Sequence, residues 1–259
     1  MVFFGDYHTH SRHSDGRQSI VQIIKAARER GLQEIAITDH GPLALGIGLR
    51  DAGVLAALRQ DVDALNCIYT DINILLGVEA NIRDLQGTLD IQDLKPLDIL
   101  IAGLHPYTIP TAWSDGVQIF GQNFLRHASR RQRQKAVEAN TRATIAALDN
   151  NPELDILSHP GLFYQVDIRA VARACAENQV LFEINCAHGY PPASDIMIAK
   201  EQGVNFIINS DAHFTRTVGQ LDYGRAMIER LEIPPERIIN LRGRGGHGNW
   251  PKKAKDCIH

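Results

Sequence analysis

Two histidines near the start of the chain, His8 and His10, have the spacing of a metal-binding pair. They follow a short apolar run at residues 2–4, which is predicted to form the first strand. Side chains two residues apart at a strand end point to the same side, so the two imidazoles can converge on one ion. Asp15 follows closely and can supply an oxygen ligand to the same ion or to a neighbouring one. On its own, this pair could equally belong to a histidine-rich surface loop.

Residue types that bind metals recur beside later apolar runs. With His8 and His10 included, six of the eleven histidines of the chain lie at or just past the predicted strand ends, together with two carboxylates. These later residues are His40, Glu79, His105, His159, Asp211 and His213. Structural histidines have no reason to prefer this position repeatedly, so the set as a whole indicates a metal site.

The elements that must position these residues are predicted to be seven strands, each followed by helical sequence. The six strands after the first are expected at residues 34–38, 72–78, 97–103, 155–158, 180–184 and 205–209. Continuous apolar runs of this kind are typical of strands buried on both faces. Alternation of strand and helix predicts a parallel α/β fold, and in a parallel barrel the C-terminal strand ends share the face that carries the active site.

The number of candidate ligands indicates more than one ion. Nine side chains are too many for one zinc-like ion, which uses three or four protein ligands, and suit two or three ions. Because a carboxylate can bridge two ions, we expect Glu79 to bridge. The predicted sets are His8, His10 and Asp211 on one ion, His105 and His159 on the second, and Asp15, His40 and His213 on the third.

Clustered metals suit the hydrolysis of phosphate esters, because the ions bind phosphate oxygens and lower the pKa of a bound water. The sequence contains no GxSxG elbow, no GxxxxGK[ST] loop and no GxGxxG motif to support another chemistry. The predicted nucleophile is a metal-bound hydroxide, and the predicted catalytic residues are those of the metal centre, with Glu79 bridging, Asp211 and His213.

Composition excludes several other classes of protein. The 259 residues carry a net charge of −3, which gives no general reason to expect nucleic acid or an anionic membrane as a partner. The four cysteines show no regular spacing, and no signal peptide or membrane-spanning run is visible. We therefore expect a cytoplasmic protein with one domain over residues 1–241 and a tail over residues 242–259. A homo-oligomer is possible, because surface helices on such barrels often pair or trimerise.

Three residues are candidates for binding substrate. Arg130 and Arg131 lie in the longest connection between predicted strands, where a mobile lid could offer arginine to a phosphate. A charged run on a solvated helix face is the alternative. His188 follows the sixth strand and could contact substrate, although it could also be an ordinary loop histidine. Asp39, which precedes His40, could orient a ligand or cap the next segment.

Taken together, these motifs resemble the PHP family, named for polymerase and histidinol phosphatase. The resemblance runs from Asp6 to about Asn240 and rests on the His8-Thr9-His10, Asp39-His40-Gly41-Pro42 and Ser210-Asp211-Ala212-His213 motifs, among others. It implies a distorted, TIM-like barrel of seven βα units with a trinuclear site of zinc, manganese or iron on the nine positions above. The chain looks most like the small single-domain bacterial phosphatases of this family. Some of those place histidine where this chain has Asp15, so His13 is a rival to Asp15 as the ligand.

The predicted function is therefore that of a metal-dependent phosphatase, most simply a phosphomonoesterase acting on a small phosphorylated metabolite. Three alternatives are a nuclease or nucleotide phosphoesterase, a metal-dependent amidohydrolase, and a non-catalytic docking module. A nuclease would need a basic strip beside the metal face, for which only the region of Arg130 is a candidate. A docking module would have no need to keep all nine ligands.

Overall fold

The computed structural model describes residues 1–51 and 53–251. Seven strands form one parallel sheet in chain order, from β1 to β7, with every neighbouring pair parallel. The sheet curls into a nearly closed barrel, which confirms the predicted α/β barrel. The strands are β1 Gly5–Asp6, β2 Glu34–His40, β3 Asn73–Asn81, β4 Ile99–Gly103, β5 Ile156–Leu157, β6 Leu181–Asn185 and β7 Phe206–Asn209.

Eight α-helices lie among the described residues, and most of them cover the outside of the barrel. They are α1 Ile20–Glu29, α2 Val54–Ile68, α3 Trp113–Gly116, α4 Gln122–Leu125, α5 Arg130–Asn150, α6 Ile168–Asn178, α7 Ala193–Glu201 and α8 Asp222–Arg230. A turn of π-helix, Val117–Gly121, joins α3 to α4, and short 3₁₀ turns occupy Thr215–Thr217, Pro235–Arg237 and His247–Asn249. No helix in the described part of the chain is long and apolar enough to cross a membrane.

Helix boundaries follow from local chemistry. Ser19 caps α1 by accepting the backbone N–H of Gln22, whose side chain accepts from the backbone N–H of Ser19 in return. Ser129 caps α5 by accepting the backbone N–H of Gln132 with its side chain. The long connection between β4 and β5 is therefore helical from Arg130 onwards. The predicted start of α2 at Ala52 lies outside the described residues, and the described helix begins at Val54.

The alternation of side chains along each strand divides the core into two layers. On β3, Ile74, Leu76 and Val78 pack outwards among the helices, while Leu75 belongs to the smaller cluster inside the barrel. Glu79 lies four residues after Leu75 and so points to the same interior side. The inside of the barrel is thus apolar near the starts of the strands and polar near their C-terminal ends.

The barrel closes between its first and last strands. Thr9, beyond β1, forms a parallel bridge with Ala212, beyond β7, and the His10 N–H donates to the Ala212 carbonyl at 3.0 Å. Nearer the starts of the strands, the side-chain amide of Asn240 donates hydrogen bonds to the carbonyls of Gly5 and Ile208. Asn240 thereby fills the gap between β1 and β7.

The first strand lies later in the chain than the sequence suggested. Residues 2–4 pair with the segment around Leu241, through the antiparallel bridge of Phe3 and a hydrogen bond from the N–H of Phe4 to the Asn240 carbonyl. The parallel strand β1 begins only at Gly5. Competition from this C-terminal segment explains the shift.

The C-terminal segment also covers the opposite end of the barrel from the histidines. Trp250 is buried and packs edge-on against Tyr7, with ring centroids 4.6 Å apart. The backbone N–H of His247 donates to Glu34 at 2.7 Å. The predicted tail over residues 242–259 is therefore docked as far as residue 251, and residues 252–259 lie outside the described chain.

Candidate metal centre

All nine predicted metal ligands lie at the C-terminal end of the barrel. Seven of them are buried, and the remaining two, Asp15 and His213, are half-buried. The histidines come from loop positions just beyond β1, β4, β5 and β7 and from the last residue of β2. Glu79 lies within β3 rather than past its end, because the strand continues to Asn81. The structure therefore brings together a set of residues that lie as far as 205 positions apart in the sequence.

Glu79 occupies the centre of this set. Its Oε2 atom lies 2.9 Å from His40 Nδ1, 3.2 Å from His8 Nε2 and 3.6 Å from His10 Nε2. Its Oε1 atom lies 2.9 Å from His159 Nε2 and 3.2 Å from His105 Nε2. One carboxylate thus presents its two oxygens to two separate groups of imidazoles.

Two further carboxylates complete the cluster. Asp211 Oδ1 lies 3.1 Å from His10 Nε2 and 3.6 Å from His8 Nε2. Asp15 Oδ1 lies 3.3 Å from His213 Nε2, and Asp15 Oδ2 lies 3.8 Å from His40 Nε2. Three groups have ligand atoms all within 4.8 Å of one another: His10, Asp15, His40 and His213; His8, His10 and Asp211; and His40, Glu79 and His105.

The polar atoms at the centre of the cluster lack hydrogen bonds although they are buried. These atoms are Nε2 of His8, both ring nitrogens of His10, Nδ1 of His40, Oδ1 of Asp15 and both carboxylate oxygens of Glu79. Buried polar atoms nearly always have partners, because each unpaired one costs about 1–3 kcal/mol. Nitrogen and carboxylate donors of this kind are the ligands that zinc, manganese and iron accept. The donor set therefore fits divalent metal ions.

Neighbouring residues fix the orientation of the imidazoles. Glu183 Oε1 lies 2.7 Å from His8 Nδ1, and Asn81 Oδ1 lies 2.8 Å from His105 Nδ1. A hydrogen bond to one ring nitrogen leaves the other free to face the cluster. Glu183 also accepts the backbone N–H of His159 at 2.8 Å, so one buried carboxylate positions two candidate ligands.

Two aspartates hold the loops that carry the outer carboxylates. Asp39 accepts hydrogen bonds from the backbone and hydroxyl of Ser11 and from the hydroxyl of Ser14, just before Asp15. Asp6 accepts from the backbone and hydroxyl of Ser210, just before Asp211. Asp39 therefore braces a ligand loop rather than touching a histidine directly.

Backbone strain marks two of the candidate ligands. His159 and Asp211 have positive φ angles of 28° and 52°, which residues with a side chain rarely adopt. Each such conformation costs about 1–3 kcal/mol and persists only where the surroundings enforce it. The hydrogen bond from Asn185 to Asp211, at 3.0 Å, is one such restraint.

Burial and charge shift the pKa values of these groups in different directions. Burial would raise the pKa of Glu79, but the charges of His8, His105 and His40 hold it well below its usual range. Burial lowers the pKa of His105 to about 4, despite the nearby Glu79. Burial also opposes protonation of His213, but its close contact with Asp15 and the charges of Asp211 and Asp15 raise its pKa to about 9.

A cavity of about 600 Å³ opens onto the cluster and is large enough for a small substrate. His188 lines it, with its Nε2 atom 3.4 Å from Asp211 Oδ2. Tyr107 and Phe163 form aromatic walls, and Arg216 lies at the rim. Among the described residues that line this cavity, Arg216 is the only arginine or lysine.

Arg130 and Arg131 do not line this cavity. Both are exposed in the first turn of α5, so their predicted role in binding substrate stays a prediction. His13 is also exposed and belongs to none of the groups that could hold a metal, whereas Asp15 belongs to one. Sequence reasoning missed Glu183 and Arg216. The position of Glu183, two residues before Asn185 on β6, places it on the interior face and could have revealed it.

Comparison with known proteins gives consistent results. A family model described as the PHP domain matches residues 6–187. The chain is 33% identical over 248 residues to a protein of Caldanaerobacter subterraneus named "Probable phosphatase", covering 91% of this chain and 86% of that protein. A protein of Acetivibrio thermocellus with the same name is 31% identical over 253 residues, covering 93% of this chain and 92% of that protein.

One solved structure has a similar fold. It is histidinol phosphate phosphatase from Lactococcus lactis, in complex with zinc, L-histidinol and phosphate. The TM-score is 0.59, and the match covers 89% of this chain and 94% of that chain. At 17% sequence identity, this similarity bears on the fold alone.

Proposed function

This chain belongs to the PHP family, and from that premise we propose that it is a phosphomonoesterase that hydrolyses a small phosphorylated metabolite at a centre of three divalent metal ions. The observation that carries the proposal is the group of buried nitrogen and oxygen atoms without hydrogen bonds around Glu79. The related proteins named as phosphatases support the reaction class.

The two oxygens of Glu79 support its proposed bridging role. His8 and His10, with Asp211, would hold one ion on the side of Oε2, and His105 and His159 would hold a second on the side of Oε1. The Nε2 atoms of His105 and His159 lie 3.4 Å apart, close enough to share an ion.

The third ion would be held by Asp15, His40 and His213, which form one group together with His10. His40 has Nδ1 towards Glu79 and Nε2 towards Asp15, so it lies between this group and the bridging carboxylate. Metal ions bound at these positions would supply Lewis-acid activation of water and of the phosphoryl oxygens.

The chain's own residues would orient the substrate. Phe163 and Tyr107 restrict the cavity, so the organic part of the substrate extends outwards from the cluster. Arg216 can donate hydrogen bonds to phosphate oxygens from the rim, where its guanidinium also stacks over Phe214 at 5.1 Å. His188 contacts Asp211 and is positioned beside the phosphate.

The test is phosphate release from a panel of phosphomonoesters, phosphodiesters and nucleotides. The protein is stripped of metal and reloaded separately with zinc, manganese or iron. We expect release from monoesters that depends on metal and is lost in His10→Ala. Release from diesters alone would indicate a nuclease instead, and no release by protein that retains its ions would contradict the phosphatase.

A matched pair of variants tests which residue of the first loop binds metal. Asp15→Ala should lose about one ion per chain, because Asp15 lies within reach of His213 and His40. His13→Ala should keep its metal, because His13 is exposed and outside the cluster. Metal analysis of the two purified variants decides between them, and the reverse result would assign the ligand to His13.

A further inference from the structure

A second cavity lies beside the metal cavity and contains three arginines. This arginine cleft has a volume of about 930 Å³ and is formed by the end of the α4 segment, by α5, and by the segments that follow β5 and β6. Its basic side chains are Arg126, His127, Arg133 and Arg169. Phe163 lines both cavities, so the cleft begins where the metal cavity ends.

The arginines of the cleft differ in how they are paired. Arg126 is half-buried and fixed by hydrogen bonds to the Phe163 carbonyl at 3.0 Å and to His127 Nε2 at 3.1 Å. Arg169 forms an ion pair with Glu201 at 2.9 Å. Arg133 is exposed and, within the described part of the chain, forms no ion pair and no side-chain hydrogen bond. Arg133 is therefore the guanidinium most available to a ligand.

Two carboxylates also line the cleft, and both have local partners. Asp167 caps α6 by accepting the backbone N–H of Ala170 at 3.1 Å. Asp195 accepts the hydroxyl of Ser194 at 3.1 Å, in the first turn of α7. Among the residues that line the cleft, three arginines therefore face two carboxylates, and both carboxylates already accept local hydrogen bonds.

The remaining walls of the cleft are largely apolar. Val137, Ile168 and Ile198 come from three different helices and surround its interior. Such walls can hold a carbon skeleton, and a few well-placed polar groups then fix its end. Phe163 packs against the rings of His105, His159 and His188, with centroid distances of 5.5–6.0 Å. A substrate whose phosphate reaches the cluster can therefore pass Phe163 directly into the cleft.

We propose that the arginine cleft binds a second anionic group of the substrate, a phosphate or a carboxylate, at the far end of its carbon skeleton. This inference rests on the proposed phosphomonoesterase, since it assumes that the scissile phosphate lies at the metal cluster. Arginine is suited to the task, because its planar guanidinium donates two parallel hydrogen bonds to either anion. The cleft thereby selects substrates with an anion at each end.

The first experiment compares two series of substrates on the metal-loaded enzyme. One series consists of α,ω-alkanediol bisphosphates of increasing chain length, and the other of the matching monophosphates. We expect the bisphosphate to be preferred in kcat/KM by about tenfold at one optimal chain length, the magnitude of one charge-assisted hydrogen-bonded contact. In Arg133→Ala that preference should fall by about tenfold, and Arg133→Lys should restore part of it.

Arg142→Ala is the matched control, because Arg142 is an exposed arginine on the same helix but outside the cleft. The preference of Arg142→Ala for the bisphosphate over the monophosphate should stay within about twofold of the wild-type value. A third substrate series with a terminal carboxylate in place of the second phosphate distinguishes the two anions. Equal loss of preference in Arg133→Ala and Arg142→Ala, or no preference in the wild type, would overturn the inference.

Failure of the proposed function can be separated from failure of the cleft. If the metal-loaded protein hydrolyses no ester, calorimetry measures the binding of the bisphosphate and the monophosphate instead. If the bisphosphate binds more tightly and this difference is lost in Arg133→Ala, the result would support anion binding by the cleft while contradicting the phosphatase activity. Equal affinities for the two compounds would contradict the cleft.

Discussion

Two buried carboxylates on adjacent strands, Glu34 and Glu79, have opposite surroundings. Strands β2 and β3 pair in parallel, so Glu34 lies opposite Asn73 at one end of the pair and His40 lies opposite Glu79 at the other. Glu34 accepts hydrogen bonds from the Tyr7 hydroxyl and the His247 backbone on one oxygen, and from Asn73 on the other. Glu79 faces five imidazoles, yet neither of its oxygens has a hydrogen bond to any residue that the structure describes.

This difference in hydrogen bonding distinguishes a structural carboxylate from one that is suited to binding a ligand. Burial is the same in both cases, so burial alone does not identify a site. A buried carboxylate without hydrogen bonds is costly, and such a group persists where an ion compensates it. Glu34 therefore ties the base of the barrel to the C-terminal segment, whereas the surroundings of Glu79 fit the proposed metal centre.

The largest effect on metal content and activity is expected for Glu79→Gln. Replacing the carboxylate that is proposed to bridge two ions with a neutral amide should remove at least one ion per chain and lower the rate of phosphate release on the order of 10³-fold. Metal analysis and steady-state kinetics on the same preparation measure both quantities. A variant that retains its full metal content would show that Glu79 does not bridge.

Lowering the pH from 9 to 7 is expected to weaken metal binding by about a hundredfold, because His213 becomes protonated. Because the pKa of His213 is raised to about 9, the imidazole of the metal-free protein is protonated at pH 7 and must lose that proton to bind an ion. Affinity for the proposed third ion should therefore fall by about tenfold for each pH unit below 9. Titration with metal between pH 7 and pH 9, with His213→Gln as the reference, measures this slope, and an affinity that is flat in this range would contradict it.

The same proton affects the stability of the metal-free protein. A folded-state pKa above the ordinary value of 6.5 means that protonated His213 stabilises the fold below about pH 6.5. This contribution is lost as the pH rises through about 9. Metal binding and folding of the metal-free form thus depend on pH in opposite directions.

A smaller effect on metal binding is expected for Glu183→Gln. This substitution changes the hydrogen-bond partner of His8 rather than one of the proposed metal ligands. Loss of the carboxylate at 2.7 Å from His8 Nδ1 should weaken metal binding by about 10- to 100-fold while the ligands themselves stay in place. Competition with a chelator of known affinity measures the change. An unchanged affinity would mean that Glu183 only supports the backbone at His159.

Much of this site could be predicted from the sequence because its ligands come at strand ends. Parallel topology places all those ends on one face, so His40, His105 and His159 could be grouped before any coordinates were known. The seven strands were also predictable, because each buried strand is a short apolar run. Whether each of the nine side chains binds an ion stays a prediction until metal is measured.

What the sequence did not reveal depends on tertiary contacts. Side-chain alternation along β6 could place Glu183 on the interior face, but its contacts with His8 and His159, which link it to the cluster, depend on the folded structure. Arg216 belongs to a segment whose position relative to the metal cavity is set by folding. The start of β1 was displaced because the segment near Asn240 pairs with residues 2–4, an interaction across the whole length of the chain.

The smallest effect on metal and activity is expected for Glu34→Gln. An amide cannot accept the hydrogen bonds of Tyr7, Asn73 and His247 as the carboxylate does, so the free energy of unfolding should fall by about 2 kcal/mol. In a chain of this size, that loss lowers Tm by roughly 4–8 °C. Metal content and kcat/KM at 25 °C should match the wild type, because Glu34 lies at the opposite end of the strand from His40. Thermal unfolding and metal analysis of Glu34→Gln beside Glu79→Gln test this contrast, and loss of metal in both variants would show that the two ends of the barrel are not independent.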